Sequence, residues 1–257
     1  MHVIDIHSHI LYGLDDGAAD EDESLAMARQ AVQEGIEILV ATPHRNVHYP
    51  NDGTQVTRSV RTFQKILNNH DIPLQVEAGM EPRIYGDIQS DIADGHVLTL
   101  AGTKTVFIEF PVQEVPDYTE QLFYQMQLEG YTPLIVHPER NEVFRENSER
   151  LYQLVKKGAL TQVTAGSITG LFGNTVKKFS HQLIEAELCH VIASDSHGVK
   201  KRPFCMQDAF EQIKVRHGLN TAERLQYNAE ALLYGDVLDI GPPAHVKKGF
   251  LANLFHR

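Results

Sequence analysis

Cysteine is scarce: the chain has Cys189 and Cys205 and no others. Two thiols cannot build a disulfide framework, and without a Cys-x-x-Cys pair nothing suggests a structural zinc site or a redox motif. Long apolar runs are missing as well, and no stretch reaches the roughly 18 residues needed to span a bilayer. The first residues, MHVIDIHSHILYGLDDG, lack the basic start and apolar core of a secretory signal, so the cytoplasm is the expected location. Positive charge is in deficit too. Lys and Arg number 23 against 34 Asp and Glu, a net charge of −11 with His neutral. That balance argues against a nucleic-acid partner, which wants a basic footprint. It leaves anionic substrates open, because bound cations can dominate a local field.

What is present is the make-up of an ordinary globular protein. The chain has 257 residues, 42% hydrophobic and 22% charged, enough for one α/β barrel or two smaller domains. Short apolar, β-branched runs at 2–6, 37–41, 74–78, 105–108, 132–136, 160–164 and 190–193 predict strands. Amphipathic patterns between them predict helices over 24–34, 55–67, 119–129, 148–157 and 175–187. In the first of these Leu25, Ala28, Ala31 and Val32 share a face. Gly35, Gly130 and Gly158 fall where helix C-caps would sit. Strand–helix alternation means parallel strands with crossover helices. Seven such units without a composition break predict a single closed or nearly closed barrel over residues 1–240. A doubly wound open sheet is the competing arrangement. A helix around 228–233 is followed by Gly241-Pro242-Pro243, which stops regular structure, and residues 241–257 read as a locally basic tail.

The histidines, 14 in all, carry the functional signal through their placement. The first predicted strand runs into His7-Ser8-His9, with Asp15-Asp16 close behind. The second ends at Thr42-Pro43-His44-Arg45, the third at Gly79-Met80-Glu81, the fourth at Glu109-Phe110. The fifth ends at His137-Pro138-Glu139-Arg140, the sixth leads into Ala165-Gly166-Ser167, and the seventh into Ser194-Asp195-Ser196-His197. Six of the seven strand ends thus carry His, Asp or Glu, and in α/β barrels that end gathers the catalytic residues. In His-x-His on a strand both rings face one way, because side chains alternate. Imidazole with carboxylate suits zinc, manganese or iron better than calcium. A carboxylate between two cations can bridge them, and ions about 3.5–4 Å apart can share an attacking hydroxide. Singly, each residue has a plain reading: a strand-end His as a structural residue, Glu81 or Glu109 as an ion-paired or capping carboxylate. Their coincidence at one edge points to a metal-dependent hydrolase with two or three divalent cations.

The stretches DIHSHILYGLDDGA, ATPHRN, GMEPRIYG, FIEFP, VHPERN and IASDSH resemble the PHP (polymerase and histidinol phosphatase) superfamily, and the similarity runs from Met1 to about Leu233. Within it, the chain is similar to bacterial manganese-dependent protein-tyrosine phosphatases of capsule and exopolysaccharide operons, the CpsB/CapC/YwqE type. The resemblance implies a distorted seven-stranded β/α barrel with a trinuclear site. It implies that His7, His9, Glu81 and Asp195 hold one metal. Glu81 would bridge to a second, completed by Glu109 and His137, and Asp16, His44 and His197 would hold a third. Manganese is the implied metal, with iron, cobalt, zinc or magnesium as substitutes. The resemblance leaves Asp15 unused, although the residues alone do not choose between Asp15 and its neighbour Asp16. No expected ligand is missing, which argues against a barrel kept only as a scaffold. Arg140 and Arg202 are implied as a phosphoryl-binding pair, a task suited to the planar guanidinium fork. From the residues alone, Arg140 reads equally as a surface partner of Glu139 or Glu142, and Arg202 as part of a basic turn with Lys200 and Lys201. Arg45 is a third candidate that could equally sit on the rim.

The implied reaction is hydrolysis of protein phosphotyrosine by a metal-bridging hydroxide attacking phosphorus in line. The implied substrate is an autophosphorylated bacterial tyrosine kinase of polysaccharide export. Cysteine-based tyrosine phosphatases place Cys six residues before Arg. Here Asp195 and Glu211 stand six residues after Cys189 and Cys205, which excludes that mechanism. There is no P-loop and no Gly-x-Ser-x-Gly elbow. Competing readings are a histidinol-phosphate or other small-molecule phosphatase, in which His is usual where Asp16 stands, and a non-catalytic kinase-binding regulator. The Gly- and Ser/Thr-rich run 166–173 reads as a substrate-side loop or a plain connection. In the tail, Phe250, Leu251, Leu254 and Phe255 share one helical face flanked by Lys247, Lys248 and Arg257. Such a segment is expected to pack on the barrel, to be disordered, or to dock at an anionic membrane or an acidic partner.

Overall fold

A computed structural model describes residues 3–247. Among them the strands are β1 (Val3–Ser8), β2 (Ile36–Ala41), β3 (His44–Arg45), β4 (Gln75–Ala78), β5 (Glu81–Pro82), β6 (Thr105–Ile108), β7 (Thr132–Val136), β8 (Leu160–Thr164) and β9 (Val191–Ala193). The helices are α1 (Glu21–Gln33), α2 (Gly53–Asn69), α3 (Ile88–Ala93), α4 (Thr119–Leu128), α5 (Glu142–Glu146), α6 (Ser148–Lys156), α7 (Ala165–Thr169), α8 (Asn174–Glu185), α9 (Met206–His217) and α10 (Leu219–Tyr234). The predicted strands correspond to β1, β2, β4, β6, β7, β8 and β9, and the predicted helices to α1, α2, α4, α6 and α8. Local chemistry explains the helix ends. The Asp20 carboxylate accepts from Glu23 N at 2.9 Å, and Glu21, Asp22 and Glu23 sit at the positive end of the α1 dipole. Gly35 closes that helix at φ +76, a conformation only glycine adopts without strain.

Every strand pair is parallel. β1-β2-β4 form one sheet, β6-β7-β8-β9 a second, and β3-β5 a short third. Neighbours follow chain order without the reversal that a doubly wound sheet requires. The expected closed barrel, however, is not one continuous sheet. The sheets are small and meet through isolated bridges, Ser8 with Ser196 and Arg83 with Glu109. The interruptions have chemical causes. Pro43 and Pro82 have no N–H to give to a ladder, and the pairing of β1 with β2 slips between Asp5 and Ser8.

Two apolar clusters stabilise this frame. The larger lies between strands and surrounding helices and includes Met27, Leu39, Phe63, Ile108, Ile135, Leu183 and Ile192. The smaller gathers Ile4 and Ile6 of β1, Val40 of β2, Phe107 of β6, Leu134 and Val136 of β7 and Val191 of β9 against Leu232 and Leu233 of α10. Residues from both larger sheets therefore bury against one another, with α10 beside β1 and β9. No helix among the described residues is long and apolar enough to cross a membrane. Within the expected tail, Ala244 N donates to Ala186 O at 2.8 Å, and His245 Nδ1 lies 2.8 Å from a Glu149 oxygen. The apolar face of Phe250, Leu251, Leu254 and Phe255, with Lys248 and Arg257, lies outside the described residues.

Candidate metal centre

The strand ends converge on one cluster. His7 Nε2 of β1 and His9 Nε2, just past the end of that strand, are 3.3 Å apart, so the two rings face the same way as side chains two residues apart on extended chain do. Glu81 Oε2 lies 3.4 and 3.2 Å from these nitrogens, and Asp195 Oδ1 lies 3.4 and 3.3 Å from them. His44 Nδ1 is 2.9 Å from Glu81 Oε2 and 3.7 Å from Glu109 Oε2, and His137 Nε2 is 2.7 Å from Glu81 Oε1. Asp16 Oδ1 sits 3.4 Å from His44 Nε2 and 3.5 Å from His197 Nε2. All nine side chains singled out in the sequence thus meet. Among the described residues, three subsets bring ligand atoms within 4.8 Å of one another: His7, His9 and Asp195; His44, Glu81 and Glu109; and His9, Asp16, His44 and His197. His9 and His44 each belong to two subsets, and His137 joins the cluster through Glu81.

A surrounding layer of hydrogen bonds orients the imidazoles. His7 Nδ1 lies 2.9 Å from Gln162 Oε1, His9 Nδ1 2.7 Å from Asp15 Oδ2, and His197 Nδ1 3.0 Å from the Asp195 carbonyl. Each contact turns the ring's Nε2 toward the cluster, the arrangement by which proteins fix a metal-binding tautomer. Asp15, given no role by the sequence pattern, also accepts from His44 N at 2.9 Å and Gly17 N at 3.0 Å. Glu139 was missed as well. Its Oε1 accepts from Thr164 N at 3.0 Å and Ser167 Oγ at 2.6 Å, tying the turn that carries Arg140 to α7. His137 and Asp195 sit at φ 37 and 51, a strained region for non-glycine residues that re-aims side chains where two strands end.

Burial opposes charge on Asp195, but the Arg140 and Arg202 guanidiniums hold its carboxyl well below the usual carboxylate range. Against burial, His44 and His7 likewise hold Glu81 well below its ordinary value. Burial, then the Glu81 charge, raises Glu109. Burial and Arg140 push His137 down to about 3, and burial and His9 push His197 down to about 4. Those two rings are neutral, the form that offers a lone pair. Against burial, the Glu81 carboxylate carries His44 up to about 10. Glu81 Oε2, Asp195 Oδ1 and His197 Nε2 are buried without a hydrogen-bond partner. Orphaned acceptors packed this closely call for a cation, and the mixed imidazole and carboxylate donor set fits a divalent transition ion.

The cluster opens into a cleft of about 360 Å³ lined by Asp16, His44, Tyr49, Arg83, Glu109, His137, Arg140, Asp195 and Arg202. Arg140 Nη2 contacts Asp195 Oδ2 at 2.5 Å, and Arg202 Nη2 reaches the same oxygen. Arg83 grips Glu109 with two nitrogens at 2.8 and 2.9 Å. Arg45, by contrast, is spent on structure, pairing with Asp91 at 2.7 Å and donating to Asn51 O.

Fold and cluster together define a class: α/β proteins with a candidate multi-metal centre at the C-terminal ends of parallel strands. The chain belongs to the CpsB/CapC family, described as capsular polysaccharide synthesis, CpsB/CapC, whose family model matches residues 3–234. It is 46% identical to the tyrosine-protein phosphatase YwqE of Bacillus subtilis over 254 residues, covering 98% of this chain and all 100% of that one. It is 27% identical to the tyrosine-protein phosphatase CpsB of Streptococcus pneumoniae over 229 residues, 87% of this chain and 94% of the other. Among solved structures it is similar to one from work on Bacillus subtilis YwqE and Streptococcus pneumoniae CpsB, described as unique metal-dependent tyrosine phosphatases. That match has a TM-score of 0.94 at 47% identity and covers 95% of this chain and 100% of the other.

Proposed function

We propose that this chain is a metal-dependent protein-tyrosine phosphatase, a phosphoric monoester hydrolase that uses no cysteine. The observation that carries the reading is the convergence of His7, His9, Asp16, His44, Glu81, Glu109, His137, Asp195 and His197 in one cluster, which opens into a cleft that two guanidiniums, Arg140 and Arg202, also line. These nine residues would hold three divalent cations, manganese first among them, on a frame we read as a distorted seven-stranded PHP barrel. Bound there, the cations would supply Lewis acidity and lower the pKa of water toward neutrality. The chain's own groups do the rest. Arg140 and Arg202 bind the non-bridging phosphoryl oxygens and turn phosphorus toward the cluster. Asp15, Gln162 and the Asp195 carbonyl keep the imidazoles from rotating as charge builds up. A phenolic leaving group, with a pKa near 10, needs little help from a general acid.

The substrate proposed is a phosphotyrosine protein, in the first place a bacterial tyrosine kinase acting in capsule or exopolysaccharide synthesis at the cytoplasmic face. Residues 241–257 are the proposed contact with that kinase or its membrane, on the sequence pattern of the tail alone. The test is turnover of p-nitrophenyl phosphate and a phosphotyrosine peptide, with chelator and after manganese is returned. Loss and recovery of both activities, with histidinol phosphate a poor substrate, is the expected result. Full turnover in protein stripped of detectable metal would overturn the proposal.

A further inference from the structure

The two arginines share a neighbour that the proposed chemistry leaves without a task. Phe172, half-buried in the connection from α7 to α8, has its ring centroid 5.0 Å from the Arg140 guanidinium carbon and 5.7 Å from that of Arg202. These arginines come from distant parts of the chain, one from the turn after β7 and the other from the segment before α9. They meet at one Asp195 oxygen and at this one ring. The ring's place is built in. Leu171 N donates to Gly166 O at 2.8 Å, and Gly170 and Gly173 bracket the turn at φ +98 and +88. A Cβ on Gly166 would stand 3.2 Å from the Phe172 ring and 3.1 Å from Leu171 Cδ2, so the ring packs against backbone that glycine leaves clear. An aromatic face attracts a guanidinium and stacks with its plane, more strongly where water is excluded. A long arginine side chain otherwise gives up its rotamer freedom each time it grips a ligand.

We propose that Phe172 is a positioning residue: its ring is a common platform that holds the Arg140 and Arg202 guanidiniums together, ready to close on one phosphoryl group. The inference rests on the reading of the cleft as a phosphoryl site, but not on which ester is cleaved. Phe172→Leu removes the π face and keeps apolar bulk, whereas Phe172→Tyr keeps the face. The measurement is binding of inorganic phosphate to manganese-loaded protein by titration calorimetry, with metal content and Tm recorded beside it. Phe172→Leu is expected to bind phosphate about tenfold more weakly, and Phe172→Tyr within about twofold of the parent. Metal content and Tm stay unchanged, and kcat/KM on p-nitrophenyl phosphate falls by the same factor as phosphate affinity. Phe172→Met makes the same comparison if the leucine variant does not fold. Parental phosphate affinity in Phe172→Leu would overturn the proposal. So would a loss confined to aryl esters, which would mean that the ring touches the substrate's own ring, or a loss that tyrosine fails to restore, which would mean packing alone. A parent protein that binds phosphate yet ignores phosphotyrosine would overturn the substrate assignment and leave this comparison intact.

Discussion

Single side chains in this site are held by more than one neighbour, and that makes their roles separable. Arg140 contacts Asp195 and faces the cleft. Arg140→Ala should lower kcat/KM by about 10²–10³, the cost of one lost transition-state donor, with metal content unchanged. Arg140→Lys should recover little, since the fork is gone. Parental kinetics in Arg140→Ala would reduce it to an ion-pair partner. Asp15→Ala should weaken metal affinity by about 10- to 100-fold, because His9 loses the carboxylate that orients it. An equal metal titration for the two proteins would show that His9 needs no such support. Away from the site, His190 is buried and accepts from Thr161 N at 3.0 Å. Burial and Arg224 push it down to about 4, against about 6.5 in an unfolded chain. As pH falls, the unfolded state takes up this proton first. The contribution is therefore complete above about pH 6.5 and is lost toward pH 4, by up to about 3 kcal/mol. Denaturant titrations should show a shallower decline over that range in His190→Gln; an identical slope would remove this histidine from the account.

At the scale of elements, the segment joining β1 to α1 is tightly constrained. It carries His9, Asp15 and Asp16 and folds back so closely that a Cβ on Gly17 would stand 2.1 Å from His9 O and 2.5 Å from His9 Cβ. Gly17→Ala must therefore displace His9. Its expected signature is a Tm lower by several degrees together with weakened metal binding, and a variant with unchanged Tm and metal affinity would mean that the loop yields freely. Elements with strong periodicity were legible in the sequence, α1, α2, α4, α6 and α8 among them. α3, α5 and α7, of six residues or fewer, carry too few positions for a 3.6-residue period to emerge. α9 escaped although Met206, Ala209, Phe210 and Ile213 bury one face at helical spacing; what it lacks is a start signal, since Cys205 precedes it in a left-handed conformation without a side-chain cap.

For the whole molecule, crowding acidic and imidazole groups at one edge makes the fold dependent on what that edge binds. A cation that binds only the folded chain stabilises it by about 2.7 kcal/mol at a hundred times its Kd. For a chain of this size that corresponds to a Tm rise of about 5–10 °C. Calorimetric scans with manganese and with chelator should differ by that amount, and superimposable scans would count against a metal held by the native cluster. The parallel strands of the expected barrel are present but are not closed into one sheet, since strand count follows from pattern but ladder continuity depends on each N–H. Pro43 and Pro82, both visible in the sequence, fall at the positions where the third small sheet branches off.

Local physics alone determined a good deal here. The period of two in β1, continued one residue past its end, put His7 and His9 on one side, β-branched runs marked the strands, and glycines after helices marked their ends. The strand-end chemistry already pointed to one metal-binding edge. Tertiary structure decided what local pattern cannot contain. It chose Asp15 as the partner of His9, brought Gln162 from 155 residues away to His7, and pinned Ser194 to Asp5 across 189 residues. It also turned an ambiguous glycine-rich run into the seat of Phe172, and took Arg45 out of the cleft to pair with Asp91. The physical reason is that periodicity specifies which way a side chain faces along its own element. Which side chain from another element meets it depends on closing long loops and filling a shared core, and neither is written in any single window of the chain.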